Sequence, residues 1–489
     1  MAKRVLVVTF DVVGPMMAGP GIRAWEFARV LGTHFPTTLA APTPVPDTAP
    51  GFTLASVPVG AGAMERIGEL IETHDIVIAQ MLPVDVLTPH VWHDKYLMVD
   101  LYCPWMIENL EHYRAEGRET SDADWLAHDL DMVRRLTAFG DYFFCAGERQ
   151  RAFWLGTLTL QGRLNEAMYA RDADGRALID VVPFGVPEAS PTKSANVLKG
   201  VIPGIGENDF VALWGGGLWN WLDPLTLVRA TALLRDRGYP IRAFFPGTKR
   251  PQATTLDVTH PSMVAITRAL SDELGLTDTH VFFGDWVPYK DWYNYLMEAD
   301  AGLSLHMPTL ETRFAFRTRV LDYLRAGLVP VVNDGDTIAD LLKEHDAGVV
   351  TPIGDAPALA DALAALMDAP DERARLATRA HTLAATYTWE RVAAPLVAFC
   401  EHPVKGAPYA DGETHLYEEL AKFRHTLKDT SEYATRLEDE IARKDAYIAG
   451  LETQAAEGKP QGGPRALARR VSVRTMIARL SRPVGSEGG

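Results

Sequence analysis

The chain has 489 residues, of which 47% are hydrophobic and 23% are charged, and its formal net charge is −16. This length exceeds one ordinary hydrophobic core and predicts two or three domains. The acidic balance argues against a general nucleic-acid-binding protein, which would need a basic face. Three cysteines, Cys103, Cys145 and Cys400, lie far apart without metal-ligand spacing. They indicate a reducing, cytoplasmic environment. No stretch approaches the roughly 20 apolar residues of a membrane span.

The N-terminal part of the chain has the pattern of a parallel α/β domain. A valine-rich strand is predicted at Arg4–Phe10, followed by a glycine-containing loop at Gly14–Gly21 and an amphipathic helix at Ile22–Leu31. This order places the loop at the carboxyl edge of the sheet, where ligands bind. Further strands are predicted at Asp75–Gln80, Tyr96–Leu101, Asp141–Ala146 and Val181–Pro187.

A second domain of the same kind is predicted after a linker-like stretch at Pro187–Ser194. Its first strand, Phe210–Trp214, runs into Gly215-Gly216-Gly217, where backbone can approach a ligand closely. Asp223 and Pro224 have the residue types of a helix N-cap and first helical position. Later strands are predicted at Ile241–Phe245, His280–Phe283 and Ala301–Leu305.

The stretch after Leu305 indicates a binding site. Thr309–Phe316 is predicted to be irregular, and Arg317–Ala326 to be a helix that ends at Gly327. Arg317 and Arg319 would lie at the positive end of the helix dipole, which is unfavourable unless an anion is present. With Asp322 one turn later, the pattern suits a phosphate attached to a hydroxyl-bearing sugar. The alternative is an internal Arg–Asp pair on a solvated face.

Several motifs together resemble a family-4-type glycosyltransferase. These are VPFGVP near the domain junction, VFFGDWVPYKDWYNYLMEADAGLSL and LDYLRAGLVPVVNDGDTIADLL, and the resemblance covers roughly Met1 to Cys400. The pattern ETRFAFRTRVLDYLRAG, preceded by GGGLWNWLDPLTLVRA, is similar to a bacterial subgroup associated with surface polysaccharide genes. The resemblance implies an α/β protein of the GT-B fold, with two Rossmann-like domains facing a central cleft. It also implies transfer of a hexosyl or deoxyhexosyl group from a nucleotide-sugar to a glycan or lipid-linked acceptor, with retention and without a metal or other cofactor.

The resemblance also assigns roles to residues around the predicted helix. Asp322 falls on the second glutamate of the family's paired-glutamate motif and would hold the ribose hydroxyls. The first glutamate falls on Phe314, so Glu311 is the nearest candidate for contact with the donor sugar. The family's usual Arg and Lys are missing from GGGLWNWLDP. The cations expected to neutralise the diphosphate instead are Arg317, Arg319 and Lys249.

Other contacts are predicted on both sides of the cleft. The backbone of Gly284–Val287 should face the nucleobase, with Asp285, Trp286 and Val287 around it, although Trp286 also suits a core position. Asp100 is expected on the acceptor side. Arg23 is expected to touch donor or acceptor, a helix-surface arginine being the alternative. The donor is also expected to lie against glycine backbone, at Gly21, Gly216 and Gly217.

The C-terminal part of the chain has a different composition. Apolar residues alternate four and three apart from Leu416 to Ala455 over about five heptads, with interruptions at Thr430 and Lys444, which predicts a coiled coil and a homo-oligomer through residues 416–455. Packing of this helix on its own body is the alternative. The last residues, 459–489, carry seven Lys/Arg against one acid. A basic amphipathic helix there would bind an anionic membrane surface at the inner face of the plasma membrane. A disordered basic tail is the other interpretation.

These patterns predict five segments and leave two other functions open. The segments are a 1–190 acceptor-side domain, a 191–385 nucleotide-sugar domain, a 386–402 helix crossing back, a 411–456 coiled coil and a 457–489 basic tail. The other functions are a catalytically silent GT-B scaffold that acts through its coiled coil, and a nucleotide-sugar epimerase.

Overall fold

A computed structural model describes residues 3–15, 17–42, 49–60, 62–115, 123–248, 263–406, 430 and 433–449. The chain divides into two compact units, Met1–Leu416 and Tyr417–Gly489. The predicted donor contact Lys249, most of the predicted coiled coil and the basic tail lie outside the described residues.

The first lobe of the larger unit is built on a seven-stranded parallel sheet with the order β3-β2-β1-β4-β5-β6-β7 among the described residues. Its central strands are apolar and fully buried, as expected when helices cover both faces of a parallel sheet. The strands are β1 (Val5–Val8), β2 (Thr37–Pro42), β3 (Thr53–Val57), β4 (Ile76–Ala79), β5 (Tyr96–Asp100), β6 (Tyr142–Cys145) and β7 (Ile179–Val181).

The helices of this lobe alternate with its strands. They are α1 (Gly19–Gly32), α2 (Ala63–Glu72), α3 (Pro89–Trp92), α4 (Trp105–Ala115), α5 (Ala123–Phe139), α6 (Glu148–Leu160) and α7 (Glu166–Arg171).

The second lobe repeats this architecture with a six-stranded parallel sheet of order β10-β9-β8-β11-β12-β13 in the described part of the chain. Its strands are β8 (Phe210–Trp214), β9 (Ile241–Phe245), β10 (Val281–Phe283), β11 (Ala301–Ser304), β12 (Val329–Asn333) and β13 (Val349–Thr351). Its helices are α8 (Pro224–Asp236), α9 (Met263–Glu273), α10 (Trp292–Glu298), α11 (Leu310–Phe314), α12 (Arg319–Ala326), α13 (Thr337–His345), α14 (Ala356–Asp368) and α15 (Pro370–Ala384).

Two short helices, α16 (Trp389–Val392) and α17 (Ala394–Glu401), return the chain to the first lobe. The Trp389 ring lies 5.8 Å from that of Phe27, and Phe399 stacks on Tyr142 at 4.9 Å. The chain thus leaves the second lobe and packs its last helices on the first.

The segment before α12 differs from the sequence prediction. Thr309–Phe316, expected to be irregular, contains the short helix α11, whose N-terminus is capped by Thr309 accepting a hydrogen bond from the Thr312 amide. Helix α12 begins at Arg319, two residues later than the predicted Arg317, and its last residue, Ala326, is followed by Gly327, which has φ +66°. A five-residue helix has too few turns to show a periodicity in the sequence.

The smaller unit has a helix over residues 433–449, whose side chains are almost all exposed. Within the part of the chain that the structure describes, none of the helices combines the length and apolar character needed to cross a membrane.

Candidate functional site

The entrance of α12 holds an arginine that forms no ion pair with the described residues and lies over the ring of Trp214. Arg319 is the first residue of the helix, and its Nη1 atom is buried with no hydrogen-bond partner among the described residues. Burial lowers the pKa of its guanidinium to about 10, so the side chain remains charged at neutral pH. Because a buried cation without a counter-ion is unfavourable, this position suits an anionic ligand.

The glycine loop after β8 lies directly against this arginine. Gly216 has φ +80°, a conformation that favours glycine, and a Cβ added there would lie 3.7 Å from Cζ of Arg319. The Gly215 amide donates a hydrogen bond of 2.6 Å to the hydroxyl of Tyr323 on α12, and a Cβ at Gly215 would collide with that hydroxyl. A Cβ at Gly217 would lie 3.3 Å from Trp219. The structure therefore brings Gly216 and Arg319 together.

Arg317 and Glu311 bind each other. The two terminal nitrogens of Arg317 donate to the two carboxylate oxygens of Glu311 at 2.8 and 2.6 Å. Asp336 lies 3.8 Å from the Nε atom of Arg317. Any contact of Glu311 with a donor sugar, or of Arg317 with a diphosphate, would be made beside this ion pair or in competition with it. The structure thus separates the two arginines into one that is paired and one that is not.

Asp322 is held by two aromatic side chains of α10. Its carboxylate accepts hydrogen bonds from the Tyr293 hydroxyl at 2.9 Å and the Trp292 indole at 3.2 Å. Burial raises the pKa of Asp322 to about 6. A carboxylate has about four lone-pair positions, so Asp322 keeps capacity to accept from ligand hydroxyls.

The bend after β10 is fixed by the loop after β9. The Gly247 amide donates to the carbonyl of Asp285 at 3.0 Å, and the Thr248 hydroxyl donates to the carbonyl of Gly284 at 2.9 Å. The Trp286 ring packs on Gly247, where an added Cβ would lie 3.4 Å away. Asp285 is exposed and Val287 is half-buried. This bend therefore presents a partly covered tryptophan and ordered backbone.

In the first lobe, Arg23 and Asp100 neutralise each other. Arg23 donates to both carboxylate oxygens of Asp100 at 2.6 and 3.0 Å and to the carbonyls of Val182 and Pro183. Only 3% of the Arg23 side chain is exposed. The predicted contacts of Arg23 with the donor and of Asp100 with the acceptor would therefore compete with these bonds.

Gly21 is also engaged within the first lobe. Its amide donates to the carboxylate of Asp11 at 3.2 Å, and a Cβ there would collide with the carbonyl of Val12. The structure uses this glycine for close packing of its own loop.

The two lobes meet at the carboxyl edge of the first sheet. Tyr102, two residues after β5, forms a hydrogen bond with Thr318, the residue that precedes α12. The guanidinium of Arg23 lies 4.8 Å from the ring of Tyr102. The Gln150 amide, at the start of α6, donates to the carbonyl of Phe314 at 2.7 Å. The entrance of α12 therefore faces the first lobe across a closed cleft.

Sequence reasoning missed a carboxylate on the first lobe's side of this cleft. Glu108, in the first turn of α4, has a pKa raised to about 7, chiefly by burial and next by the charge of Glu311, against the opposing effect of Arg317. It also hydrogen-bonds with Cys103. Its position in the sequence could have identified Glu108 as a site candidate, because α4 directly follows β5 at the sheet edge where ligands bind.

The chain resembles known proteins in one segment of its sequence and in its fold. Residues 266–398 match the family described as "Glycosyl transferase-like". No curated protein sequence matches the chain.

Several solved structures share the two-lobed architecture. HepE from Anabaena, in complex with UDP and glucose, has a TM-score of 0.57 and 14% identity, covering 82% of this chain and 99% of its own. Sucrose-phosphate synthase from Thermosynechococcus elongatus has a TM-score of 0.58 and 12% identity, covering 82% and 98%. WaaG, a glycosyltransferase involved in lipopolysaccharide biosynthesis, has a TM-score of 0.57 and 16% identity, covering 81% and 98%.

The fold is therefore GT-B, as predicted: two parallel-sheet α/β lobes around a cleft. The family match covers the second half of the second lobe, including α12 and the bend at Trp286, and continues into the two helices that return to the first lobe.

Proposed function

We propose that the protein is a glycosyltransferase that moves a sugar from a nucleoside diphosphate to a glycan or lipid-linked acceptor. The observation that carries this proposal is the buried, unpartnered Nη1 of Arg319 against the backbone of Gly216. The match to the glycosyltransferase-like family and the UDP and UDP-glucose complexes of HepE support it.

The chemistry needs a preorganised cation at this position. The leaving nucleoside diphosphate gains negative charge as the glycosidic bond breaks, and a fixed guanidinium stabilises that charge without reorganising. Arginine also suits phosphate oxygens because of its forked donors. Since Arg319 supplies a positive charge, we propose that transfer needs no metal and, as the resemblance implies, retains the anomeric configuration of a hexosyl or deoxyhexosyl group.

The cleft would set the two substrates in place. The carboxylate of Asp322 would accept hydrogen bonds from the ribose hydroxyls, and the bend at Trp286 would contact the base. Closure of the lobes through Tyr102 and Gln150 would exclude water and align the acceptor hydroxyl. The acceptor would lie on the first lobe's side.

The biological setting is proposed as synthesis of cell-surface polysaccharide or glycoconjugate in a subgroup of bacterial enzymes. The structural likeness to WaaG, involved in lipopolysaccharide biosynthesis, supports this setting. Self-association through residues 416–455 and contact of the basic tail with the inner face of the plasma membrane would bring the enzyme to a lipid-linked acceptor.

A panel of nucleoside diphosphates tests the proposal by thermal shift. We expect one of them to raise the melting temperature of the wild type, and the matching nucleotide-sugar to release nucleotide when acceptor is present. If none of the nucleoside diphosphates raised the melting temperature, the result would contradict the proposal. Binding without nucleotide release would indicate a silent scaffold, and conversion of the sugar without release would indicate an epimerase.

A further inference from the structure

The short helix α11 is held at its C-terminal end by the first lobe. The last carbonyls of a helix have no partners within it. The carbonyl of Phe314, the last residue of α11, accepts a hydrogen bond of 2.7 Å from the Gln150 side chain, and that of Arg313 accepts one of 3.4 Å from Arg149. The Phe314 ring also lies 5.0 Å from the ring of Phe153. Helix α6 therefore caps α11 from across the cleft.

Gln150 is also fixed within its own lobe. Its side-chain oxygen accepts a hydrogen bond of 2.8 Å from the amide of Ala146, which follows β6, and only 1% of Gln150 is exposed. This bond orients the side-chain amide so that its nitrogen is directed across the cleft. Arg149 adds bonds to the carbonyl of Gly335 and to the carboxylate of Asp340. The contact between the lobes is therefore directed by polar groups and not only by apolar packing.

Helix α11 carries the residue that orders the entrance of α12. Glu311, in its first turn, holds Arg317 by two hydrogen bonds, and Arg317 lies two residues before Arg319. A helix of this length is not stable in isolation, so both of its ends need partners. Thr309 caps the N-terminus, and Gln150 caps the other end from the opposite lobe. The position of Glu311, and with it that of Arg319, therefore depends on a residue of the first lobe.

We propose that Gln150 is a positioning residue for the diphosphate of the nucleotide-sugar. This inference rests on the proposed function. Gln150 acts through α11 and the Glu311–Arg317 pair, so that closure of the lobes holds Arg319 in its binding position. By linkage, a diphosphate bound at Arg319 favours the closed cleft by the same factor by which closure strengthens its binding. Binding of the donor therefore drives the closure that excludes water.

A purely structural contact between the lobes would respond differently. Its loss would affect every ligand of the cleft alike. The proposed role concerns the phosphates, because the proposed ribose contact, Asp322, is held by Trp292 and Tyr293 of α10, and the proposed base contact is the bend at Trp286. These contacts do not involve α11. The nucleoside without phosphates is therefore the probe that separates the two roles.

The test measures the affinity of the full chain for UDP, ADP, GDP, CDP and dTDP, and for the nucleoside of the diphosphate that binds the wild type. Gln150→Met keeps the length of the side chain and removes both hydrogen-bonding groups. We expect it to weaken binding of that diphosphate by about 5–150-fold, the usual range of coupling between two events. Its affinity for the nucleoside should stay within about twofold of the wild type, because the nucleoside contacts are independent of α11.

Two further variants complete the test. Thr137→Val is the matched control, because the fully buried Thr137 hydroxyl donates to the carbonyl of Val133 at 2.7 Å within α5. This variant also loses a buried hydrogen bond of the first lobe, and it should bind the diphosphate as the wild type does. Phe153→Leu weakens the contact between α6 and α11 without removing a hydrogen bond. It should also weaken diphosphate binding, and it replaces Gln150→Met in the test if that variant does not fold.

Each outcome is decisive. Wild-type affinity for the diphosphate in Gln150→Met, or in Phe153→Leu where it replaces that variant, would overturn the positioning role alone. Equal losses for nucleoside and diphosphate, or an equal loss in Thr137→Val, would also overturn it, since they indicate a structural contact. A wild type that binds none of the five diphosphates would overturn the proposed function together with this inference.

Discussion

Arg317 and Glu311 form a bidentate ion pair that joins the first turn of α11 to the segment before α12, with distances of 2.8 and 2.6 Å and side-chain exposures of 8% and 3%. The pair fixes the backbone two residues before Arg319. Asp336 adds a second negative charge, since its carboxylate lies 3.8 Å from the Nε atom of Arg317. We interpret Arg317 as a residue that positions the helix entrance, and Arg319 as the cation left for a ligand.

Arg317→Met should destabilise the protein by about 3–5 kcal/mol, because it leaves the buried Glu311 carboxylate without its partner. The free energy of unfolding in urea measures this loss. The double variant Glu311→Met/Arg317→Met should recover most of it, since two apolar side chains can replace a buried pair. A loss below about 1 kcal/mol in the single variant would show that the pair does not hold this entrance.

Arg319→Met should have the opposite effect on the free protein. Removing a buried cation whose Nη1 is unpartnered should raise the free energy of unfolding by about 1–3 kcal/mol and abolish the stabilisation by nucleoside diphosphate. The melting temperature without nucleotide measures the first effect, and its rise on addition of nucleoside diphosphate measures the second. Arg313→Met, at an exposed position of α11, is the matched control and should change neither. A wild-type nucleotide response in Arg319→Met would remove the diphosphate site from this helix.

Asp322 should make stability depend on pH. Burial raises its pKa to about 6 in the folded protein, above the usual value for an aspartate, so the unfolded chain releases this proton more readily. The contribution is therefore fully present below about pH 4 and is lost as the pH rises through about 6. The stability of the wild type relative to Asp322→Asn should fall by about 1–3 kcal/mol between pH 4 and 7.5.

Urea unfolding at several pH values measures this difference. Glu108 and Asp336, whose pKa values are also raised, titrate in both proteins and cancel in the comparison. A difference between wild type and Asp322→Asn that does not change with pH would mean that Asp322 is solvated.

The elements of the fold could be predicted because their signals are local. Apolar runs marked β1, β4, β5 and β6 in the first sheet and β8, β9, β10 and β11 in the second, whereas β2, β3 and β13 were not predicted. Asp223 caps α8 as its residue type predicts, and Gly327 follows α12 with a positive φ. The short helix α11 lacked such a signal. It is held by the Thr309 cap and by packing on α4.

The site could be predicted only in part, because its pairings join distant residues. The helix entrance and its glycine loop follow from motif order, but Arg23 and Asp100 are 77 residues apart and meet only in the folded lobe. The sequence did not show that Glu311 would pair with Arg317 and leave Arg319 unpaired, because this depends on the direction of the Glu311 side chain. Glu108 faces Glu311 from the other lobe, a relationship that spacing in one helix does not contain.

The helix over residues 433–449 should mediate self-association. Leu437 and Ile441 lie on its predicted heptad seam and are 40% and 57% exposed. A single helix of this length is marginally stable in water, and pairing of two copies would bury the seam. We expect the full chain to be oligomeric by light scattering coupled to gel filtration, and Leu437→Glu/Ile441→Glu to be monomeric. Tyr447→Glu changes a 70% exposed residue off the seam and should keep the wild-type mass. A monomeric wild type, or a double variant of unchanged mass, would contradict the coiled-coil interpretation.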